Sequence, residues 1–411
     1  VNFFYSPSCE AHVFRWQQLA EYWAKQGMQV EVITMGYVGL PKYNIEKKVH
    51  VTRVGFPKWK SFKYENDGIQ KKRKKVIYNF LRGLYTKLRW PDSFWFWLPF
   101  SIMEVLKRLN YKYDLIISYY PSFTAHLTVF FMKLFSRNNS FKWILDYGDP
   151  FSTSESIQPN NFYLYRNLNT SLEKLFSRYG QIVFYNDLLV NDYIEKLSLS
   201  KNNIPKKIEP LVNLEEFYND KIKSNCIKDH KKVILNYIGK FYVLFREPYI
   251  LFEIISKLNG ISEFLIELDI YGPTGGFDLE QKDNNFINYR GMLDRNKAIK
   301  ITKESSFLIN IENTNCIQSP SKTIELIATG IPIINISNPN NPDYLLRDYE
   351  KIGGCICISR ENINEKSLKK LIEFIKIKNI ENNIRKEDLI KLLKNNLIKN
   401  ISKKYLDLLS N

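Results

Sequence analysis

In the stretch SPSKTIELIATGIPII, residues 319–334, a serine and a proline precede a lysine, and a glutamate follows three residues later in an apolar run. Ser319 suits the N-cap of a helix whose first position is Pro320, and Gly330 with Pro332 suits its end. The free amides of such a start, those of Ser321 and Thr323 included, favour a phosphate, and Lys322 adds a positive charge beside them. Glu325 has two readings. It is either an ordinary solvated first-turn acid or a carboxylate that accepts both hydroxyls of a ribose.

A second stretch, YIGKFYVLFREP at 237–248, runs from a strand through Gly239 to Lys240 and Arg246, ahead of a helix opened by Pro248. Cations at a strand end would stabilise charge developing on a leaving diphosphate, where electrostatic catalysis acts most strongly. Solvated surface cations are the plain alternative. In the first half, FKWILDYGDPF (141–151) sets Asp146 and Asp149 at a strand end. Asp149 either takes a proton from an acceptor hydroxyl or forms an Asp-Pro turn. His126 lies in an expected helix behind Pro121, where packing competes with acid–base work. Ser6, in Ser6-Pro7-Ser8, follows the first strand.

These positions need strands and helices to hold them. NFFYS, a helix at Val13–Lys25 with apolar residues at helical spacing, and VEVIT (30–34) make a strand-helix-strand unit, which implies parallel strands. The pattern recurs at 114–118, around His126–Leu134, and at 143–146 and 182–185. A second series runs from VILNYIG (233–239) through LIELDIYG (265–272) and FLINIE (307–312) to IPIINIS (331–337), with helices between. Two such series predict an α/β protein of two doubly wound, Rossmann-like domains facing a central cleft. The expected divisions are 1–207 and 208–390 for the two domains and 391–411 for a C-terminal helix, whose return to the first domain the sequence leaves open. Ligands of such sheets bind at the carboxyl ends of strands.

Composition bounds the partners. The 411 residues carry 60 Lys+Arg against 43 Asp+Glu, a formal net charge of +17. That field favours polyanions: nucleic acid, anionic lipid headgroups or a diphosphate substrate. An AT-rich genome would also enrich Lys, Asn and Ile. No zinc finger, RRM or other nucleic-acid module is visible, so no nucleic-acid partner is expected. Five scattered cysteines (Cys9, Cys226, Cys316, Cys355, Cys357) make no disulfide framework and point to a reducing compartment. Cys355 and Cys357 sit in an apolar run without further ligands nearby, so no zinc site is expected. The longest apolar stretches, such as FWFWLPF at 94–100, fall far short of a membrane span.

The segment 319–334 closely resembles the donor site of GT-B glycosyltransferases, in particular the large retaining family 4. There a Pro-x-Lys-x-x-Glu-like helix start precedes a small-Gly-x-Pro-hydrophobic strand. The resemblance implies that Glu325 binds ribose and that Lys240 and Arg246, in the family's Gly-Arg/Lys loop, neutralise the donor diphosphate. LDIYGPTGG (268–276) and NYRGML (288–293) match the family's next two strand-end loops, which places Tyr271, Gly272, Arg290 and Met292 beside the nucleobase. Many members carry a second Glu eight residues before the first; Ile317 stands there in this chain, so donor sugar and anomeric outcome stay open. The stretch 113–151 resembles a subgroup that makes bacterial surface polysaccharides, with Asp146, Asp149, Pro150 and Phe151 matching its Asp-x-x-Asp-Pro-aromatic sequence.

The implied activity is hexosyl or similar transfer from a nucleotide diphosphate sugar to a saccharide or polyprenyl-linked acceptor, with no metal or other cofactor required. The expected setting is cytoplasmic, peripheral at the inner face of the cell membrane. KKRKKVIYNFLRGLYTKLRWPDSFWFWLPF (71–100) fits that setting. On a helix, Val76, Ile77, Phe80, Leu81, Leu84, Tyr85 and Leu88 share one face flanked by cations, and Trp90, Trp95 and Trp97 would sit at headgroup level. A core helix with snorkelling cations explains the same stripe. A sugar-nucleotide epimerase, an inactive nucleotide-sugar-binding relative and a basic nucleic-acid-binding protein are the alternative functions.

Overall fold

The computed structural model describes residues 1–8, 11–59, 75–136, 141–154, 163–199, 204–218, 231–279, 285–314, 322–380 and 384–410. Ser319, Ser321, Ile317 and Lys71–Lys74 lie outside the described residues. The chain forms two compact units, one of Val1–Glu209 with Ile398–Asn411, the other of Pro210–Leu397.

In the first unit β1 (Glu31–Tyr37) pairs in parallel with β3 (Val49–Trp59), and β2 (Tyr43–Glu46) runs antiparallel to β3. A second, parallel sheet has the order β4 (Leu115–Tyr120), β5 (Lys142–Tyr147), β6 (Gln181–Phe184), β7 (Lys206–Lys207). The N-terminal residues join the two sheets. Asn2 N donates to Ile33 O at 3.1 Å on one side, and Tyr119 N donates to Val1 O at 3.2 Å on the other. Aromatic rings fill the core behind β4 and β5, where Phe123 stacks on Phe151 at 4.2 Å and Tyr120 on Tyr147 at 5.8 Å. Each such ring, fully buried, contributes about 1.5–3 kcal/mol.

The helix Ile398–Asp407 completes this unit. Trp23 Nε1 donates to Ser402 Oγ at 2.7 Å, and Lys404 pairs with Glu209.

The second unit holds one sheet of six parallel strands: β8 (Lys232–Ile238), β9 (Leu265–Tyr271), β10 (Ile287–Gly291), β11 (Phe307–Ile311), β12 (Ile333–Ser337) and β13 (Cys355–Ser359). Both faces are buried, as a parallel sheet requires. Leu235 on β8, Leu268 and Ile270 on β9 and Ile309 on β11 enter one core. Leu308 and Ile333 enter the other, with Ile324 and Tyr349. The spatial order is β10-β9-β8-β11-β12-β13. Counted from β8 as the first strand, that is 3-2-1-4-5-6, the dinucleotide-binding order, whose reversal point lies between β8 and β11.

Candidate functional site

At the carboxyl end of β8 the backbone turns at Gly239, whose N–H donates to Tyr271 O at 2.9 Å. Gly272 follows β9 with φ +125°, and a Cβ there would stand 2.2 Å from Gly239 O. Only glycine lets these two strand-end loops touch backbone to backbone. Beyond them, Tyr242 N donates to Arg246 O and Arg246 N to Tyr242 O, each at 2.9 Å, closing a tight loop. Thr314 N donates to Phe245 O at 2.9 Å and Arg246 Nη2 to Asn313 Oδ1 at 2.6 Å, so the loop after β8 is clipped to the segment after β11. Lys240 is exposed, its Nζ 4.7 Å from the Tyr242 ring, which also lies 6.0 Å from the Arg246 guanidinium.

After β11 the chain reaches the helix Thr323–Ala328, with Lys322 at its N-cap position and no side-chain cap. Ser319 and Pro320, expected to open this helix, lie outside the described residues, and Gly330, at φ +74°, follows its end. Thr323 is buried at this start. Burial is the main cause that holds the Lys322 ammonium below its ordinary pKa; Glu325 opposes the shift, and Arg246 and Arg295 add to it. The charges of Glu325, Arg246 and Arg295 thus all lie near enough to act on Lys322. Glu325 Oε1 accepts from Arg295 Nη1 at 3.2 Å, and Arg295 Nη2 lies 3.4 Å from Glu216 Oε1.

The sequence reading missed Arg295. It opens the helix Arg295–Glu304, capped by Asp294, and a cation in a first turn works against the helix dipole. That misplacement is the signal that could have marked it. Glu312, at the end of β11, was also missed as a site-building residue. Its buried carboxylate accepts from Asn335 Nδ2 and Asn338 N, both at 2.7 Å, and so fixes the floor between β11 and β12.

Tyr271 and Arg290 meet at Asp269. Arg290 Nη2 pairs with Asp269 Oδ1 at 3.1 Å and Tyr271 OH lies 3.5 Å from Asp269 Oδ2, on the face of β9 and β10. Met292 is exposed. No hydrogen bond or ion pair among the described residues joins these three to Arg246, Lys322 or Glu325.

The first unit holds the other expected residues. Asp149 follows β5, half-buried, before the buried Pro150 and Phe151. Burial raises its pKa to about 6, and its charge acts on the Tyr119 and Tyr185 hydroxyls. Asp146 is fully buried; it accepts from the Tyr405 hydroxyl and lies 3.9 Å from Arg15 Nη2. Burial outweighs Arg15 and lifts Asp146 to about 6. His126 is buried in the core, its Nδ1 2.7 Å from Ser118 Oγ and its ring 4.5 Å from that of Tyr147. Burial lowers it to about 3, so the ring is neutral near pH 7. Ser6 is half-buried, and its carbonyl accepts from Arg53 Nη2 at 3.1 Å. Of the three tryptophans expected at headgroup level only Trp95 is exposed. Trp97 is buried, donating to Val54 O at 3.2 Å, and Trp90 is half-buried, donating to Asn169 Oδ1 at 2.8 Å. Among the described residues no three His, Cys, Asp or Glu side chains gather to hold a metal, and no helix is long and apolar enough to cross a membrane.

No protein-family model matches the chain, and no curated protein matches it. Solved structures do. Sucrose-phosphate synthase from Thermosynechococcus elongatus superposes with a TM-score of 0.61 over 97% of this chain and 92% of its own, at 13% identity. The fold is GT-B. The apo structure of OtsA gives a TM-score of 0.56 at 10% identity, covering 96% of each chain. WaaG, a glycosyltransferase involved in lipopolysaccharide biosynthesis, gives 0.51 at 11% identity, covering 100% of this chain and 99% of its own. Identities this low establish the GT-B architecture of two Rossmann-like domains and leave the chemistry to the site.

Proposed function

We propose that this chain is a glycosyltransferase that takes a sugar from a nucleotide diphosphate donor. One observation carries the reading. Arg246, Lys322 and the Arg295–Glu325 ion pair come from the segments that follow β8, β10 and β11, beside the reversal point of the strand order, and the other three charges act on Lys322. Arg246 and Lys322, with the exposed Lys240, are placed to balance a pyrophosphate, and the half-buried Glu325 offers a carboxylate to the hydroxyls of an adjoining ribose. Positive charge near the leaving diphosphate lowers the barrier because the charge to be stabilised grows in the transition state. In this reading side-chain cations do that work, without a metal.

The finer reading is hexosyl transfer to a saccharide or polyprenyl-linked acceptor in bacterial surface polysaccharide synthesis, at the cytoplasmic face of the membrane. The likeness of the 113–151 stretch to that subgroup supports it, as does the fold shared with WaaG, a glycosyltransferase involved in lipopolysaccharide biosynthesis. Asp149, raised toward neutrality by burial, is placed to receive a proton from the acceptor hydroxyl. A panel of sugar nucleotides incubated with the purified chain and a lipid extract tests the reading. Label from one donor should move into the lipid or saccharide fraction. Conversion of the sugar nucleotide with no acceptor product would indicate an epimerase instead, and no turnover of any donor would indicate an inactive relative.

A further inference from the structure

The helix Lys75–Leu88 displays an apolar face left open by the described residues. Phe80 is 69% exposed, Leu81 56%, Leu84 45%, Tyr85 49% and Leu88 52%. At spacings of one, four, five and eight residues these side chains lie on one side of the helix. Trp95, 45% exposed, extends the face and donates from Nε1 to Tyr85 OH at 2.9 Å. The far end is anchored, since Tyr165 OH donates to Leu88 O at 2.9 Å and Trp90 to Asn169. Arg82 and Lys87 are exposed on the same helix, and Arg89 lies 5.9 Å from the Tyr85 ring. No acidic residue occurs between Lys71 and Pro91.

We infer that this face docks on a lipid bilayer carrying anionic headgroups, with the helix lying in the plane of the interface. Charge complementarity selects that occupant. A second copy of the chain would bring its own +17 charge against the same cations. Nucleic acid would match the cations and leave five large apolar side chains in water. A bilayer interface accepts both: apolar side chains enter the acyl boundary, while cations and the Tyr85–Trp95 pair meet the headgroups. The inference is independent of the glycosyltransfer reading, because vesicles test one and nucleotides the other.

The test is co-sedimentation of the full chain with phosphatidylcholine vesicles, with and without phosphatidylglycerol. Binding is expected only with phosphatidylglycerol. Phe80→Ser/Leu84→Ser/Leu88→Ser should abolish it, and Arg82→Gln/Lys87→Gln should weaken it about tenfold. Circular dichroism should match the unaltered protein for both variants. If the triple variant does not fold, the charge variant still decides. Binding that ignores phosphatidylglycerol or is unchanged in the charge variant overturns the inference. So does vesicle-independent self-association that the triple variant removes, which would make the partner a second copy.

Discussion

Arg295 holds Glu325 by a 3.2 Å ion pair between Nη1 and Oε1, across thirty residues of sequence that include β11. The same guanidinium reaches Glu216, so the helix start at Thr323 is tied through Arg295 to the start of the second unit. In the proposed donor site, fixing one carboxylate oxygen would set the plane in which Glu325 receives a pair of hydroxyls. Arg295→Ala is expected to weaken nucleoside diphosphate binding about fivefold, the worth of a partly exposed ion pair of about 1 kcal/mol. Calorimetric titration checks it; unaltered affinity in a folded Arg295→Ala protein would remove Arg295 from the site.

Gly272 offers a sharper steric test. Alanine there must adopt φ +125° and place its Cβ 2.2 Å from Gly239 O, a backbone atom that has little room to move. Gly272→Ala should cost roughly 2–4 kcal/mol of stability in chemical denaturation and reduce nucleotide binding with it. Gly276 also has positive φ, but an added Cβ would meet nothing within 4 Å. Gly276→Ala should therefore cost only about 1–2 kcal/mol. Equal losses at the two positions would deny the close contact of the loops.

Asp149 makes a prediction in pH. Burial raises its folded pKa to about 6, above its unfolded value, so the folded state binds the proton more tightly. Its contribution to stability is therefore full at low pH, below the unfolded pKa, and is lost as pH rises through about 6. Asp149→Asn should flatten that part of the stability profile. Activity runs the other way, because a base must be ionised. Turnover should rise with pH through about 6 and fall at least about a hundredfold in Asp149→Asn. His126, neutral above about 3, adds nothing to that limb. A rise near pH 6 that survives in Asp149→Asn would assign it to another group.

Tyr405 tests the role of the C-terminal helix. Its hydroxyl accepts from Arg15 Nη2 at 2.7 Å and donates to Asp146, whose Oδ1 has no hydrogen-bond partner among the described residues. Tyr405→Phe removes one of the few groups that stabilise a fully buried carboxylate, and should cost about 1.5–3 kcal/mol in denaturant unfolding. A change below about 0.5 kcal/mol would show that Asp146 is satisfied without it.

Most of the second unit's sheet was legible in the sequence because its strands are short apolar runs set in a sheet buried on both faces; β10, INYRG, is nowhere fully buried, and its stretch was read as a strand-end loop. FLINI and IINIS are buried at all five positions. β2 and β3 received no assignment. YNIE is exposed or half-exposed throughout, and β3 buries Thr52 and Arg53 side by side, which breaks the alternation. The pairing of Arg295 with Glu325, and of Arg15 and Tyr405 with Asp146, could not be read locally, since no spacing rule links residues so far apart in the chain. The partner of Arg290 was likewise out of reach, since Asp269 lies on the adjacent strand twenty-one residues earlier. For His126 the packing alternative was legible, and the helix is buried along the whole turn that carries it.

The donor site itself is tested most directly by isothermal titration of UDP and GDP into the unaltered chain and into Glu325→Ala and Arg246→Ala. Micromolar binding of at least one nucleotide is expected, weakened about tenfold or more by either substitution in proteins that melt normally. Affinity that neither substitution changes would contradict it.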